Sequence, residues 1–224
     1  MRKLIFVSLL AFAVVPSSVL SQRASVSRQF PVYDNGGKPD LVVDPQRFVS
    51  KMEIVDRLFT EGSCAIEEGA VGGAGYRRIL RFDPVVMNSG NGDLVVGDRS
   101  DPNNPYAEWF ELAPCHGDYR IRGFSDYELL NTSRSVVVAR HKQGFGFQGI
   151  TSGRSSRYNK QLTGQWIDIT GVPEGDYIVR VTVNAAGTFD EGQNRYTNSV
   201  ETSIHVPDPR KKVTIDNLPE VLEK

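Results

Sequence analysis

The residues that could bind a metal are three histidines and one nearby carboxylate. The chain has only three histidines, His116, His141 and His205, and Asp118 follows the first of them after one glycine. Two histidines with one carboxylate form the facial triad of non-haem iron oxygenases, so His116, Asp118 and His205 are one candidate site. A site built from three imidazoles would instead require all three histidines to converge. The sequence alone leaves both arrangements open.

The composition argues against several other classes of function. The formal net charge of −1 gives no electrostatic basis for binding nucleic acid or an anionic membrane. We find no phosphate-binding loop, no serine nucleophile elbow and no zinc-binding helix motif. We therefore predict a partner other than nucleic acid and no membrane association after export.

The N-terminus predicts export from the cell. Arg2 and Lys3 precede an apolar run, Leu4 to Val15, which is too short to span a membrane comfortably, and small residues such as Ser21 follow. We predict a signal peptide over residues 1–21 and a secreted, extracellular protein. The polar residues 22–38 are predicted to be a flexible lead-in, and the charged residues 207–224 a tail with no place in a sheet.

The cysteines support the same compartment. A secreted chain with two cysteines, here Cys64 and Cys115, usually has them oxidised. The sequence leaves open whether they bond to each other or to other chains. Asn131, in the triplet Asn-Thr-Ser, is a glycosylation acceptor if the host modifies secreted proteins.

The elements between residues 39 and 206 are predicted to be short strands. The most regular stretch is Gln165 to Asn184, where Trp166, Ile167 and Ile169 precede a Pro-Glu-Gly turn and alternating apolar residues follow. We predict a β-hairpin here, with Trp166 in the core. Glycine is abundant and long helical periodicity is absent, so the fold class is all-β: an antiparallel β-sandwich with long glycine-rich loops.

Several motifs, in one consistent order from about residue 39 to residue 206, resemble the lysyl oxidase catalytic domain. The most specific is Gln-Trp-Ile-Asp-Ile-Thr, followed by Gly-Asp-Tyr-Ile-Val-x-Val-x-Val-Asn. The others are Pro39 to Asp44, Cys64-Ala-Ile-Glu-Glu68, Arg78 to Phe82, Trp109 with Cys115-His116-x-x-Tyr119, Phe124 to Leu130, His141-Lys142 and Gln148-Gly-Ile150. Fold and ancestry follow from this resemblance, whereas function must be argued at the site.

The resemblance implies a copper-dependent and quinone-dependent oxidase. Enzymes of the family hold copper with His-x-His-x-His and carry a lysine tyrosylquinone, which converts a peptidyl lysine to an aldehyde with release of peroxide. Lys142 matches the cross-linking lysine, and Tyr158, eight residues before Trp166, matches the quinone tyrosine. The resemblance thus assigns Lys142 and Tyr158 as the catalytic pair. A lone lysine or tyrosine in a loop is otherwise a surface residue.

The copper segment departs from the family pattern. It is His116-Gly-Asp118-Tyr-Arg120, so an aspartate and an arginine replace the second and third histidines. Aspartate binds copper less well than imidazole, and a guanidinium is always charged and never a ligand. Copper, if bound, would need His116 and Asp118 with help from His141. The segment from Lys142 to Tyr158 is also shorter than in animal lysyl oxidases and lacks their cysteines.

Two functions therefore remain. The first is oxidative deamination by copper and lysine tyrosylquinone of an extracellular or wall protein with exposed lysines. The second is a non-catalytic, secreted β-sandwich, derived from the same family and without a cofactor, that binds such a partner or has a structural role. The ligand replacements favour the second function, and the presence of Lys142 and Tyr158 favours the first.

Overall fold

The computed structural model describes residues 31–134, 137–143, 148–193 and 198–216, with the backbone alone for 137–143. The predicted signal peptide and most of the predicted lead-in lie outside the described residues. So do the side chains of His141 and Lys142. Among the described residues, no helix is long and apolar enough to cross a membrane.

The described chain is mostly β-strand, which confirms the all-β fold class. Its two short helices are α1 (Pro45–Ser50) and α2 (Cys64–Glu67), and one 3-10 turn spans Ala107–Trp109. The strands are β1 (Leu41–Val43), β2 (Glu53–Phe59), β3 (Gly75–Arg81), β4 (Val85–Asn88), β5 (Leu94–Val95), β6 (Phe110–Ala113), β7 (Asp118–Ile121), β8 (Ser125–Leu130), β9 (Val137–Gln143), β10 (Gly149–Ile150), β11 (Ser155–Arg157), β12 (Trp166–Asp168), β13 (Gly175–Val183), β14 (Ser199–Val206) and β15 (Thr214–Asp216).

Two four-stranded sheets carry most of these strands. Their orders are β12-β3-β2-β15 and β14-β13-β8-β9, and the smaller sheets are β1-β4-β11, β10-β5 and β6-β7. Every pairing is antiparallel except that of β15 with β2. On β13, Val179, Val181 and Val183 are buried, and the residues between them are partly exposed. This alternation is the one predicted from the sequence, and it gives β13 one face in the main core.

The predicted hairpin from Gln165 to Asn184 is wrong. Strand β12 pairs with β3, whereas β13 pairs with β8 and β14 in the other sheet. Side-chain hydrogen bonds stabilise the pairing of β12 with β3, because the Arg77 guanidinium on β3 donates to Asp168 on β12 at 2.7 and 2.9 Å. The Arg78 N–H also donates to the Thr170 hydroxyl at 2.9 Å. The turn that follows therefore carries the chain from one sheet to the other.

Trp166 lies in a second, smaller core, on the face of β2 and β3 that points away from the main core. Its side chain is fully buried, its ring centroid is 5.8 Å from that of Phe59, and its indole N–H donates to the Ala70 carbonyl at 3.0 Å. Ala65 of α2 belongs to the same core. The prediction that Trp166 is a core residue is confirmed, although it serves the smaller core.

Two further elements differ from the predictions. Residues around Phe48 lie in the region predicted to consist of short strands, but they form α1. Asp44 caps this helix by accepting from the Gln46 and Arg47 N–H groups, and Pro45 begins it. The tail was expected to have no place in a sheet, but β15 joins the edge of β2, where Asp216 is buried. Its ion pairs, described below, are long-range contacts that no local pattern shows.

Candidate functional site

The segment that resembles the copper site begins in a turn and not in a strand. Strands β6 and β7 form a hairpin in which Ala113 pairs with Asp118, and His116 lies in the connecting turn. Gly117 has φ +70°, a conformation that favours glycine, and its N–H donates to the Ala113 carbonyl at 2.8 Å. His116 and Asp118 thus lie at a bend. An extended His-x-His-x-His arrangement would place alternate side chains on one face.

A disulfide attaches this turn to α2. Cys64 and Cys115 bond to each other with a Cα–Cα distance of 5.3 Å, so of the two alternatives left open by the sequence the intramolecular bond is the one formed. The bond places the C-terminal end of α2, where Glu68 is the C-cap residue, beside the hairpin turn. Because Glu68 lies one helical turn after Cys64, both residues face the hairpin.

Glu68 links the other residues of the site into an ion cluster, which we define as Glu68, His116, Asp118 and Arg120. One Glu68 oxygen is 2.6 Å from His116 Nδ1, and the other is 3.4 Å from an Arg120 Nη. Arg120 Nε lies 3.2 and 3.1 Å from the two oxygens of Asp118. The guanidinium therefore lies between two carboxylates and pairs with both.

The ion cluster is largely removed from water. The exposed fractions of the side chains are 1% for His116, 12% for Arg120, 14% for Glu68 and 32% for Asp118. Charges are expensive to bury unless they are paired, so each member depends on the others. His116 Nε2 is also buried and has no hydrogen-bond partner among the residues that the structure describes.

These residues do not fit a copper ion. One imidazole is present, its Nδ1 is held by Glu68, and the carboxylate of Asp118 is held by the guanidinium of Arg120. Arg120 already provides, between Asp118 and Glu68, the positive charge that a metal ion would bring. A second cation at this position would be repelled by the guanidinium. Within the described part of the chain, no group of three His, Cys, Asp or Glu side chains is placed to hold a metal.

The structure does not bring His205 to the ion cluster. His205 lies on β14 with its side chain exposed, and its Nδ1 is 2.8 Å from the carboxylate of Asp176 on β13. Glu174 is 3.8 Å from its other ring nitrogen. The candidate facial triad of His116, Asp118 and His205 is therefore wrong for the described structure, since His116 contacts Glu68 beside the hairpin turn whereas His205 contacts Asp176 on β13.

Tyr158, the predicted quinone residue, is buried in the main core, so the alternative that it is a surface residue is wrong. It follows β11, and its N–H donates to the Pro84 carbonyl at 3.0 Å. Tyr127 of β8 is its neighbour and donates its hydroxyl to Gln165 at 2.9 Å. Burial raises the pKa of Tyr127 well above its ordinary value, and the nearby phenol of Tyr158 raises it further.

The two predicted residues of β9 can be placed only by their backbone. His141 is opposite Tyr127 and Lys142 is opposite Asp126 in the ladder between β8 and β9. Their side chains lie outside what the structure describes. A cross-link between Lys142 and Tyr158, and metal binding by His141, therefore stay predictions.

Glu68 and Tyr127 are the site residues that sequence reasoning missed. The four-residue spacing from Cys64 to Glu68 was a usable signal for Glu68, because it puts both on one helical face once α2 is recognised. For Tyr127 the alternation along β8 was a usable signal of burial, but nothing in the sequence indicated that Tyr158 would pack beside it.

Comparison with known proteins matches the sequence of this chain to one family. The model of the family described as "Lysyl oxidase" matches residues 39–147 and 143–215. Lysyl oxidase homolog 2 of Homo sapiens is 30% identical over 191 residues, covering 72% of this chain and 24% of that protein. Protein-lysine 6-oxidase of Bos taurus is 32% identical over 208 residues, covering 78% of this chain and 48% of that protein. The chain thus spans about a quarter of the first relative's length and about half of the second's.

A third relative is covered over most of its length. Protein-lysine 6-oxidase of Sus scrofa is 32% identical over 208 residues, covering 78% of this chain and 80% of that protein. The family match and this relative agree with the resemblance that the motifs indicated. The chain belongs to the lysyl oxidase family.

Proposed function

We propose that this chain is a secreted, non-oxidising member of the lysyl oxidase family that binds an extracellular or cell-wall protein with exposed lysines. The single observation that carries the proposal is the position of Arg120, whose guanidinium contacts both Asp118 and Glu68. The guanidinium of Arg120 takes the place of the metal ion, and together with the disulfide it holds the hairpin to α2 without a metal.

The physical argument rests on charge and on ligand chemistry. Two carboxylates already share one guanidinium that cannot give up its proton. Binding copper would require Arg120 to leave its place, and His116 would be the single described imidazole at the site for an ion that prefers several. Without copper, the tyrosine of this family is not converted to a quinone, and Lys142 and Tyr158 remain unmodified.

The partner class and the compartment have separate support. The name protein-lysine 6-oxidase gives protein lysines as what a relative acts on, and the proposal carries lysine recognition over to this chain. The disulfide between Cys64 and Cys115 fits an oxidising compartment, as does the predicted signal peptide.

A second candidate is the amine oxidase itself. The observation that favours it is Tyr158, which is buried beside Tyr127 in the main core and not exposed. Such burial would shield a quinone precursor from solvent. This candidate needs copper at His116, Asp118 and His141, and a cross-link from Lys142 to Tyr158.

The experiment that separates the candidates uses chain secreted in the presence of copper. Its tryptic digest is searched for a branched peptide that joins Lys142 to Tyr158, and peroxide is measured after an amine is added, with Tyr158→Phe as the matched control. We expect separate peptides and no peroxide above that of the control. A branched peptide together with peroxide that Tyr158→Phe abolishes would establish the oxidase.

The binding half of the proposal needs its own measurement. A fluorescent lysine-rich peptide is titrated with the protein, and the same peptide with acetylated lysines is the control. We expect the unmodified peptide to bind more tightly because acetylation removes the charge. Equal or undetectable binding of both peptides would contradict lysine recognition.

A further inference from the structure

The C-terminal segment crosses from one large sheet to the other. Strand β14 ends at Val206 in the sheet with β13, and β15 lies eight residues later beside β2. Arg78 of β3 holds the connection, because its guanidinium donates to the carbonyls of Asp208 at 3.1 Å and Lys211 at 2.8 Å. The last described strand is therefore fastened to a sheet to which its predecessor does not belong.

Asp216 anchors the end of this segment in a basic pocket. Its side chain is 2% exposed and lies between Arg57, 6% exposed, and Arg81, 9% exposed. An Arg57 Nη is 3.8 Å from the carboxylate, and Arg81 donates to it directly. Arg81 also binds Glu53 at 2.7 Å. The pocket thus presents two buried guanidinium groups to one carboxylate, which is a strong arrangement for anion recognition.

The rest of β15 contributes little side-chain burial. The strand has three residues, it pairs with β2 alone, and both Thr214 and Ile215 are exposed. Attachment therefore depends on a short parallel ladder and on the carboxylate of Asp216. This combination is how an extended segment binds an exposed sheet edge, with main-chain hydrogen bonds for affinity and one side-chain pocket for specificity.

We propose that the β2 edge with Arg57 and Arg81 is an acceptor site for an extended, carboxylate-bearing strand, and that β15 of a second copy of this chain occupies it. Each copy carries both the strand and the acceptor, so a reciprocal exchange closes with two-fold symmetry and keeps the contacts of β15 with β2, Arg57 and Arg81. The connection over residues 207–213 is short and contains two prolines, whose fixed φ limits the ways in which it can fold back on its own chain. Short, constrained hinges invite such exchange. The product is a strand-exchanged dimer.

The acceptor is tested first with a peptide. A fluorescent peptide of residues 208–219 is added to the full-length Asp216→Asn chain, whose own strand lacks the carboxylate. We expect it to bind about 30-fold more tightly than the same peptide with asparagine at the position of Asp216, the loss typical of a broken buried ion pair. Equal affinity of the two peptides, or no binding, would overturn the acceptor site.

The exchange is tested by size measurement on the unmodified chain. Refolding at high protein concentration should give a dimer by light scattering, and Asp216→Asn should lower the dimer fraction while Asp176→Asn, an exposed charge change on β13, should not. A wild-type chain that stays monomeric at all concentrations would refute exchange. The peptide result and the copper content of the protein are independent of each other, so failure of this inference leaves the proposed function untouched.

Discussion

Replacing Arg120 with methionine should destabilise the protein by about 2 kcal/mol. The change removes a guanidinium that contacts Asp118 at 3.1 and 3.2 Å and Glu68 at 3.4 Å. Truncating one partner of a fully buried ion pair costs about 3–5 kcal/mol, whereas an exposed pair is worth about 0–1 kcal/mol. Asp118 is a third exposed and Glu68 keeps its contact with His116, so an intermediate value applies.

The assay is urea unfolding at neutral pH, supported by a melting temperature that should fall by about 4–8 °C for a chain of this size. Arg122→Met is the matched control, because Arg122 lies just beyond β7, is exposed and makes one hydrogen bond to a carbonyl. Adding Asp118→Asn to Arg120→Met removes an uncompensated charge and should recover about 1 kcal/mol. If Arg120→Met were as stable as the wild type, or no less stable than Arg122→Met, the ion cluster would not hold the hairpin to α2.

Three other predictions concern stability. Trp166→Ala should cost about 3–5 kcal/mol in urea unfolding because the ring is fully buried, while Tyr76→Ala on an exposed side chain should cost far less; similar midpoints for both variants would contradict the second core. Alkylation of the unfolded protein should find no free thiol, and reduction of Cys64–Cys115 should cost about 4 kcal/mol for a sequence separation of 51 residues; labelled cysteines would contradict this. Burial raises the pKa of Asp168, but hydrogen bonds from Thr170, Gly72 and Arg77 outweigh it and lower the pKa below the ordinary value of 3.8. The stabilisation is thus present above pH 3.8 and lost as the pH falls through the lowered pKa, so the difference between wild type and Asp168→Asn should shrink at low pH; a constant difference would oppose the assignment.

Local sequence patterns predicted the strands well but not their partners. The alternation along β13 correctly predicted its buried face, since a period of two is a property of the strand itself. The pairing of β12 was missed because it depends on Arg77 and Arg78, which are about ninety residues away in the sequence. The place of β15 was missed for the same reason, because Asp216 meets its arginines only in the folded chain.

The sequence identified most residues of the candidate site but not the contacts among them. His116, Asp118 and Arg120 were identified from one short segment, and the sequence indicated that Arg120 opposes metal binding. It did not reveal that Glu68 completes the ion cluster, because that contact depends on the disulfide bringing α2 to the hairpin. The burial of Tyr158 was likewise hidden, since residues in a loop-like segment carry no periodicity that predicts packing.

The most direct test of the account is the copper content of the secreted protein. Wild-type chain, produced with copper supplied and then dialysed, is analysed for metal by mass spectrometry beside the variant that combines Asp118→His and Arg120→His. The account predicts far less than one copper per wild-type chain, because the guanidinium of Arg120 holds the position between the carboxylates, and a clear gain in the double variant. One copper per wild-type chain after dialysis would contradict it.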